Sequence, residues 1–183
     1  MRVVSGSAKG VRLAPVPKGV RPVSDMAREG LFSSLGPSVV QARVLDLYAG
    51  TGAMAIEALS RGARHAVLVE RDRSAAETIR DNLERARVAE TAEVVVADVS
   101  TYLGRGRPAG TFDLVLADPP YATPVPDVEA VLGSLGSGWL SGDAWRVALT
   151  RPKESSTIVI PVHWLLARRL SYGDTRVLIF QEA

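Results

Sequence analysis

Cysteine is absent from the 183 residues, and histidine occurs twice, at His65 and His163. A disulfide framework, a thiolate metal site and a cysteine nucleophile are therefore excluded, and two histidines make zinc chemistry a poor expectation. Both are read as packing or surface residues. No stretch approaches the ~18 to 20 apolar residues that cross a bilayer. The opening Met1-Arg2-Val3-Val4-Ser5-Gly6 has no apolar core of a secretory signal, so a soluble cytoplasmic protein without a membrane partner is expected. Acidic residues are missing from residues 1–24, which carry Arg2, Lys9, Arg12, Lys18 and Arg21. With a net charge of +2 for the chain, that +5 leaves −3 for the remainder. The positive charge is local. Gly6, Gly10, Pro15, Pro17, Gly19 and Pro22 interleave with it, which suggests an extended or hairpin arm that grips a polyanion, or else a solvated terminus.

What is present is dominated by residues 43–55. An apolar run (Val44, Leu45, Leu47, Tyr48) stops at Ala49-Gly50-Thr51-Gly52, and a helical pattern (Met54, Ile56, Leu59) starts at once. This reads as a buried parallel strand, a tight turn and a helix. Gly50 and Gly52 allow positive φ and close approach of a ligand, and the N–H groups of the helix start face the same space. Asp46 interrupts an apolar strand. A buried carboxylate needs donors, which the loop N–H groups or a cationic ligand can supply, although an acid that merely braces the loop is the plainer reading.

The helix ends at Gly62, and His65-Ala-Val-Leu-Val-Glu70 is a second strand, so the unit is a right-handed βαβ. Glu70 ends that strand ~20 residues beyond the glycine turn, where an acid accepts from ribose hydroxyls. Ser74-Ala-Ala-Glu77 has the form of a capping box opening the next helix. Glu93 to Ala97 is a third strand; Asp98 after it can accept from an adenine amino group, with the Val99 N–H offered to the ring, or cap a helix. Upstream, Ser24-Asp25 can cap a helix through Met26, Leu31, Phe32 and Leu35, whose start could lie over the glycine loop. Phe112 to Ala117 forms a fourth strand and ends in Asp118-Pro119-Pro120-Tyr121. Two prolines there fix φ and donate no N–H, which makes a stiff spur presenting acceptors and one aromatic ring. The Asp118 carboxylate and the Pro119 carbonyl can hold a planar amino group while Tyr121 stacks on its ring. A helix from Pro124 to Trp139, a fifth strand from Trp145 to Leu149, and a hairpin of Leu165 to Tyr172 with Thr175 to Gln181 complete the order. Trp139, Trp145 and Trp164 are read as packing residues.

Asp46-Leu-Tyr-Ala-Gly-Thr-Gly52 resembles the first motif of class I S-adenosylmethionine-dependent methyltransferases, and Asp118-Pro-Pro-Tyr121 resembles the motif of those acting on amino nitrogens. More narrowly, Arg2-Val-Val-Ser-Gly6, Arg21-Pro-Val-Ser-Asp25, Arg28-Glu29, Leu31-Phe32 and Ile56-Glu-Ala-Leu-Ser-Arg-Gly-Ala63 are similar to the RsmD-like family of 16S ribosomal RNA guanine-N2 methyltransferases. The resemblance implies a Rossmann-like α/β fold: a mostly parallel seven-stranded sheet with an antiparallel last hairpin, residues 24–183, preceded by a small basic hairpin arm, residues 1–23. It implies S-adenosylmethionine held by Asp46, Tyr48, Gly50, Thr51 and Gly52 at the methionine part, Glu70 at the ribose, and Asp98 and Val99 at the adenine, with Ser24, Asp25 and Arg28 covering it. Asp118, Pro119, Pro120 and Tyr121 would hold the guanine, and Arg2, Lys9, Arg12, Lys18 and Arg21 the RNA. The partner would be 16S ribosomal RNA within an assembling or assembled small subunit, met by a monomer. Tyr48, Ala117 and Thr150 depart from the pattern; an acid is expected at the end of the fifth strand.

Gly50-x-Gly52-x-x-Ala55 also fits a dinucleotide enzyme, but Asp46 and the spur have no role there and no substrate domain remains. Carbon-5 cytosine methylation needs the missing cysteine. N6-adenine methylation suits the spur equally, and an rRNA-binding assembly factor without turnover would keep the arm. Whether Arg105, Arg107, Arg151 and Lys153 meet RNA or only water is open from sequence.

Overall fold

The apolar runs bounded by glycine and proline become the strands of one sheet. The computed structural model describes residues 1–15, 23–106 and 110–183. In chain order the elements are α1 (Asp25–Leu35), β1 (Arg43–Leu47), α2 (Ala53–Ser60), β2 (His65–Glu70), α3 (Arg73–Arg85), β3 (Ala92–Val96), α4 (Val99–Leu103), β4 (Leu114–Ala117), α5 (Val125–Gly136), β5 (Arg146–Pro152), β6 (Trp164–Tyr172) and β7 (Thr175–Glu182). The sheet has seven strands in the order β3-β2-β1-β4-β5-β7-β6, with β7 antiparallel to both its neighbours. Strand order reverses between β1 and β4. In an open parallel sheet the crevice for ligands lies there, beyond the carboxyl ends of the strands.

Alternation along the strands divides the core in two. Val44, Leu68, Leu114, Leu116, Ala148 and Ile179 pack on one face with α1, α2 and α3. Leu45, Leu47, Val67, Val69, Val115, Val147 and Leu149 pack on the other with α4, α5 and the tryptophans. All three tryptophans are buried, with Trp145 and Trp164 ring centroids 4.7 Å apart, in keeping with a packing role. Several boundaries differ from the sequence reading. The α3 cap is Asp72, whose carboxylate accepts from the Ala75 N–H at 2.8 Å, so the helix opens before Ser74 and that residue lies inside its first turn. The last helix stops at Gly136 instead of Trp139, and β5 runs on to Pro152 because β7 pairs with it through Thr175.

Every residue of α2 is buried, which a helix tolerates only when both its faces are covered. The sheet covers one face. The first residues of the chain cover the other, folded as a hairpin in which Arg2 bridges Arg12 and the Val3 N–H donates to the Val11 carbonyl at 3.0 Å. Glu57, 0% exposed, supplies the attachment: its carboxylate accepts from the N–H groups of Val4 (2.8 Å) and Ser5 (3.0 Å) and pairs with Arg61 (2.7 Å). A buried acid left without those donors would cost several kcal/mol, so the hairpin and α2 hold each other. Ser60 continues the seam, its hydroxyl accepting from the Ala8 N–H and its carbonyl from the Ser7 N–H. Lys18 and Arg21 lie outside the described residues.

Gly6 is the pinch point of this seam, with φ of +84° and a would-be Cβ only 1.8 Å from the Ser60 carbonyl oxygen. Gly6→Ala is expected to lift the hairpin from α2 and to destabilise the protein by roughly 2 to 4 kcal/mol. Thermal unfolding together with amide exchange at Val4 and Ser5 measures this; unchanged protection of those two amides would refute it.

Candidate active site

At the crevice the turn after β1 takes left-handed backbone at Tyr48 (φ 62°), Gly50 (φ 57°) and Gly52 (φ 75°). For Tyr48 this conformation is strained and persists only because its neighbours are fixed. A side chain on Gly52 would stand 3.2 Å from both Ile79 and Leu68, so the turn is seated against the core. Three groups hold it. Asp46, 2% exposed, accepts from the Ala55 N–H at 3.0 Å and so ties the strand to the first turn of α2. Glu70 accepts from the Gly50 N–H and from the Asp72 N–H, both at 2.9 Å, spanning the ends of β1 and β2. Asn82 of α3 donates to the Thr51 carbonyl at 3.0 Å and accepts from the Ala14 N–H, which links the turn to the N-terminal arm.

Burial raises the proton affinity of two carboxylates at these strand ends. Burial pushes Asp46 well above the usual carboxylate range, opposed by the Ala55 N–H and reinforced by Asp118 and Glu70. Burial likewise lifts Asp118 to about 7, opposed by a hydrogen bond from the Thr150 side chain. Tyr48 is pushed up to about 12 by burial, and then by Asp98 and Asp127, so its hydroxyl stays neutral. Burial thus disfavours the charged form of both Asp46 and Asp118 at this end of the sheet. Asp98 caps α4, its Oδ1 accepting from the N–H groups of Ser100 (2.9 Å) and Thr101 (3.4 Å), with Val99 buried behind it.

Beside Asp118 a cleft of about 260 Å³ opens between the spur, the start of α1 and the tip of the β6–β7 hairpin. Ser24 and Met26 line one side, Asp118, Tyr121 and Thr150 the floor, and Tyr172 to Thr175 the far wall. The spur is held at each end. The Asp118 N–H donates to the Leu47 carbonyl at 3.3 Å, and the Tyr121 hydroxyl lies 2.7 Å from that of Thr175. Arg151, 3% exposed, donates to the Thr123 carbonyl at 3.2 Å and closes the turn that follows. It is thus structural in this arrangement, whereas Arg105 and Lys153 are exposed and Arg107 lies outside the described residues. The Tyr172 hydroxyl rests on α1 where Gly30 has no side chain; a Cβ there would be 1.7 Å away.

The structure therefore brings Asp46, Tyr48, Gly50, Thr51, Gly52, Glu70, Asp98, Val99 and the whole spur to one edge of the sheet. Ser24 caps α1, accepting from the Ala27 N–H at 3.1 Å, and reaches the cleft. Arg28 is turned the other way: it is fully buried, pairing with Asp25 at 3.0 Å and Glu57 at 3.5 Å and donating to the Arg2 carbonyl, which braces the start of α1 against the arm. Arg2, Lys9 and Arg12 are exposed on the docked hairpin. Gly30, Tyr172 and Thr175 escaped the sequence reading. Tyr172 and Thr175 showed only as the ends of a hairpin and Gly30 only as a position within a helix, and the bond from Thr175 to Tyr121 spans 54 residues.

The sheet order, the glycine turn and the acids at successive strand ends define a class I methyltransferase. A family described as conserved hypothetical protein 95 matches residues 1–181. Ribosomal RNA small subunit methyltransferase D of Escherichia coli is 34% identical over 99% of this chain and 89% of its own length. Its namesake from Haemophilus influenzae is 27% identical over 99% and 93%. Among solved structures, yhhF of Escherichia coli superposes with a TM-score of 0.86 at 33% identity, covering 100% of this chain and 97% of that one. The chain belongs to the RsmD-like family of ribosomal RNA methyltransferases. SMU.776, solved in complex with SAH, is 16% identical with a TM-score of 0.70 over 85% of this chain and 48% of that one, and shares the fold.

Asp46 keeps its proton to higher pH in the fold than in the unfolded chain, so it withdraws stability as pH rises above about 4. Asp46→Asn retains an acceptor for the Ala55 N–H without the charge. Urea unfolding at about pH 5 and about pH 8 is expected to show a smaller loss of stability between the two in the variant, by roughly 1 kcal/mol or more; an equal loss would refute the assignment.

Proposed function

We propose that this protein transfers a methyl group from S-adenosylmethionine to the exocyclic N2 of one guanine in small-subunit 16S ribosomal RNA, acting as a cytoplasmic monomer on an assembling or assembled subunit. The observation that carries the reading is the Asp118-Pro119-Pro120-Tyr121 spur, fixed at the floor of a cleft close to the buried Asp46 carboxylate. The desolvated carboxylates of Asp46 and Asp118 suit the sulfonium and ammonium groups of the cofactor, as the remaining lone pairs of Glu70 and Asp98 suit its ribose and adenine. Asp46, Tyr48, Gly50, Thr51 and Gly52 enclose the methionine part, and Val99 the adenine. Ser24 and Asp25 close over it, held down by Arg28.

When bound, the cofactor supplies an electrophilic methyl whose bond to sulfur breaks as the bond to N2 forms, the electron pair staying on sulfur. The chain's own part is to aim the nitrogen. Asp118 and the Pro119 carbonyl accept the amino hydrogens, Pro120 stiffens the turn, and Tyr121 supports the ring, giving a near-attack geometry of ~3 to 3.5 Å. The proton released from the methylated nitrogen passes to the Asp118 carboxylate. A guanine reaches this cleft only when splayed from its RNA helix, and unpaired bases are the usual targets of RNA-binding proteins.

Labelled methyl transfer to undermethylated small-subunit particles, naked rRNA and duplex DNA in parallel, followed by nucleoside analysis, tests the whole reading. N2-methylguanine in rRNA is expected; label found as N6-methyladenine alone would overturn the target atom. Because the amino group must meet an ionised Asp118, kcat/KM is expected to fall as pH drops below about 7. Asp118→Asn should remove that limb and lower kcat roughly 10²-fold or more.

Arg2, Lys9 and Arg12 stand on a hairpin rigidly joined to α2, with Lys18 and Arg21 next in sequence, and supply the phosphate contacts. Replacing Arg2, Lys9 and Arg12 together by glutamine should raise KM for RNA and reduce the slope of log affinity against log salt by about 2, leaving kcat unchanged. An unaltered salt slope would remove the arm from the RNA interface.

A further inference from the structure

We propose that Thr150 is a positioning residue for this reaction, its hydroxyl donating to one oxygen of the Asp118 carboxylate so that the group stays ionised and turned towards the substrate amine. The proposal rests on the methyl-transfer reading given above. In the parallel register β4 meets β5 at Ala117 opposite Leu149, which places Asp118 and Thr150, the next residue on each strand, side by side. Both line the acceptor cleft. Thr150 is 2% exposed, on the sheet face that also carries Ala148. A buried hydroxyl in an apolar strand needs a partner, and the Asp118 carboxylate is the acceptor that the register sets beside it.

Threonine suits the task because its branched Cβ leaves few rotamers, and β7 fixes the backbone beneath it through the Thr150 to Val177 register. The acid that the family resemblance leads one to expect here would act in the opposite sense. Two carboxylates side by side share a proton, and the pair would hold Asp118 protonated further into the neutral range. A hydroxyl favours the ionised form instead.

Other groups from neighbouring elements also lie around Asp118. From β1 comes Asp46, which repels the Asp118 charge. The spur itself carries Tyr121, bonded to Thr175, and the hairpin tip carries Tyr172 and Asp174. The start of α1 contributes Val23, Ser24 and Met26. Arg151, next on β5, is directed to the Thr123 carbonyl. Thr150→Val removes the hydroxyl and preserves the shape of the side chain.

Two readouts separate the hydrogen bond from the reaction. In the protein without RNA, carboxyl-carbon NMR of labelled Asp118 should titrate about one pH unit higher in Thr150→Val than in wild type, with Thr150→Ser close to wild type. In methyl transfer, the acid limb of kcat/KM should move up with it, giving roughly a tenfold loss near pH 6 that shrinks above about pH 8, while cofactor affinity at high pH is unchanged. Thr150→Ala serves as a second hydroxyl-free variant should valine disturb the strand. An unmoved NMR titration and an unmoved limb in both hydroxyl-free variants would overturn the proposal. A shifted titration in a protein whose wild type methylates no RNA would instead sink the methyl-transfer reading and leave the hydrogen bond standing.

Discussion

The crevice depends on a carboxylate buried where the solvent cannot stabilise it. Asp46 sits in the central strand with a single backbone donor, the Ala55 N–H, and with Asp118 and Glu70 close enough to raise its proton affinity further. In a free protein that arrangement costs stability, since desolvation of an acid is not repaid by one hydrogen bond. A cation bound in the crevice would repay it. The acids come from β1, β2 and β4, so the same strands whose apolar residues build the core bring this unmet charge together.

A second buried acid performs a different service. Glu57 is satisfied entirely by the protein, through two backbone N–H groups of the arm, Arg61 and the nearby Arg28. It converts a basic terminus into a fixed wall on α2. The arm then reaches the crevice from behind: Asn82 bridges its Ala14 to the Thr51 carbonyl, and Arg28 bridges its Arg2 carbonyl to the start of α1. An RNA contact on the hairpin would thus act on the same rigid body that shapes the glycine turn.

The spur side of the crevice is shaped by the other end of the chain. The β6–β7 hairpin anchors Tyr121 through Thr175 and lays Tyr172 against the bare backbone of Gly30. The spur is stiff by virtue of its prolines, yet its direction is set by strands more than 25 residues downstream, through Thr150, Arg151 and Thr175. Here the antiparallel end of the sheet is part of the site and not merely its closing edge.

Composition, period and spacing were enough for the strands, the glycine turn, Glu70 at the end of the strand after it and the spur, because each is a local pattern written in adjacent residues. The β1 strand is apolar because both its faces are covered, and Asp46 stands out against that background. The sequence also determined that the acids and the spur share an edge, since parallel strands joined by right-handed crossovers can end nowhere else. Cap positions one or two residues away, such as Asp72 in place of Ser74, lay beyond that resolution because either side chain can accept from an early helical N–H. Only the tertiary structure decided what the long-range polar groups do. Arg28 reads as a cofactor contact beside Ser24 and Asp25, yet it pairs with Glu57 across 29 positions of chain. Thr150 reads as a missing acid and becomes the donor to Asp118. Such pairings depend on which buried groups happen to face each other once the strands are in register, and no local propensity encodes that.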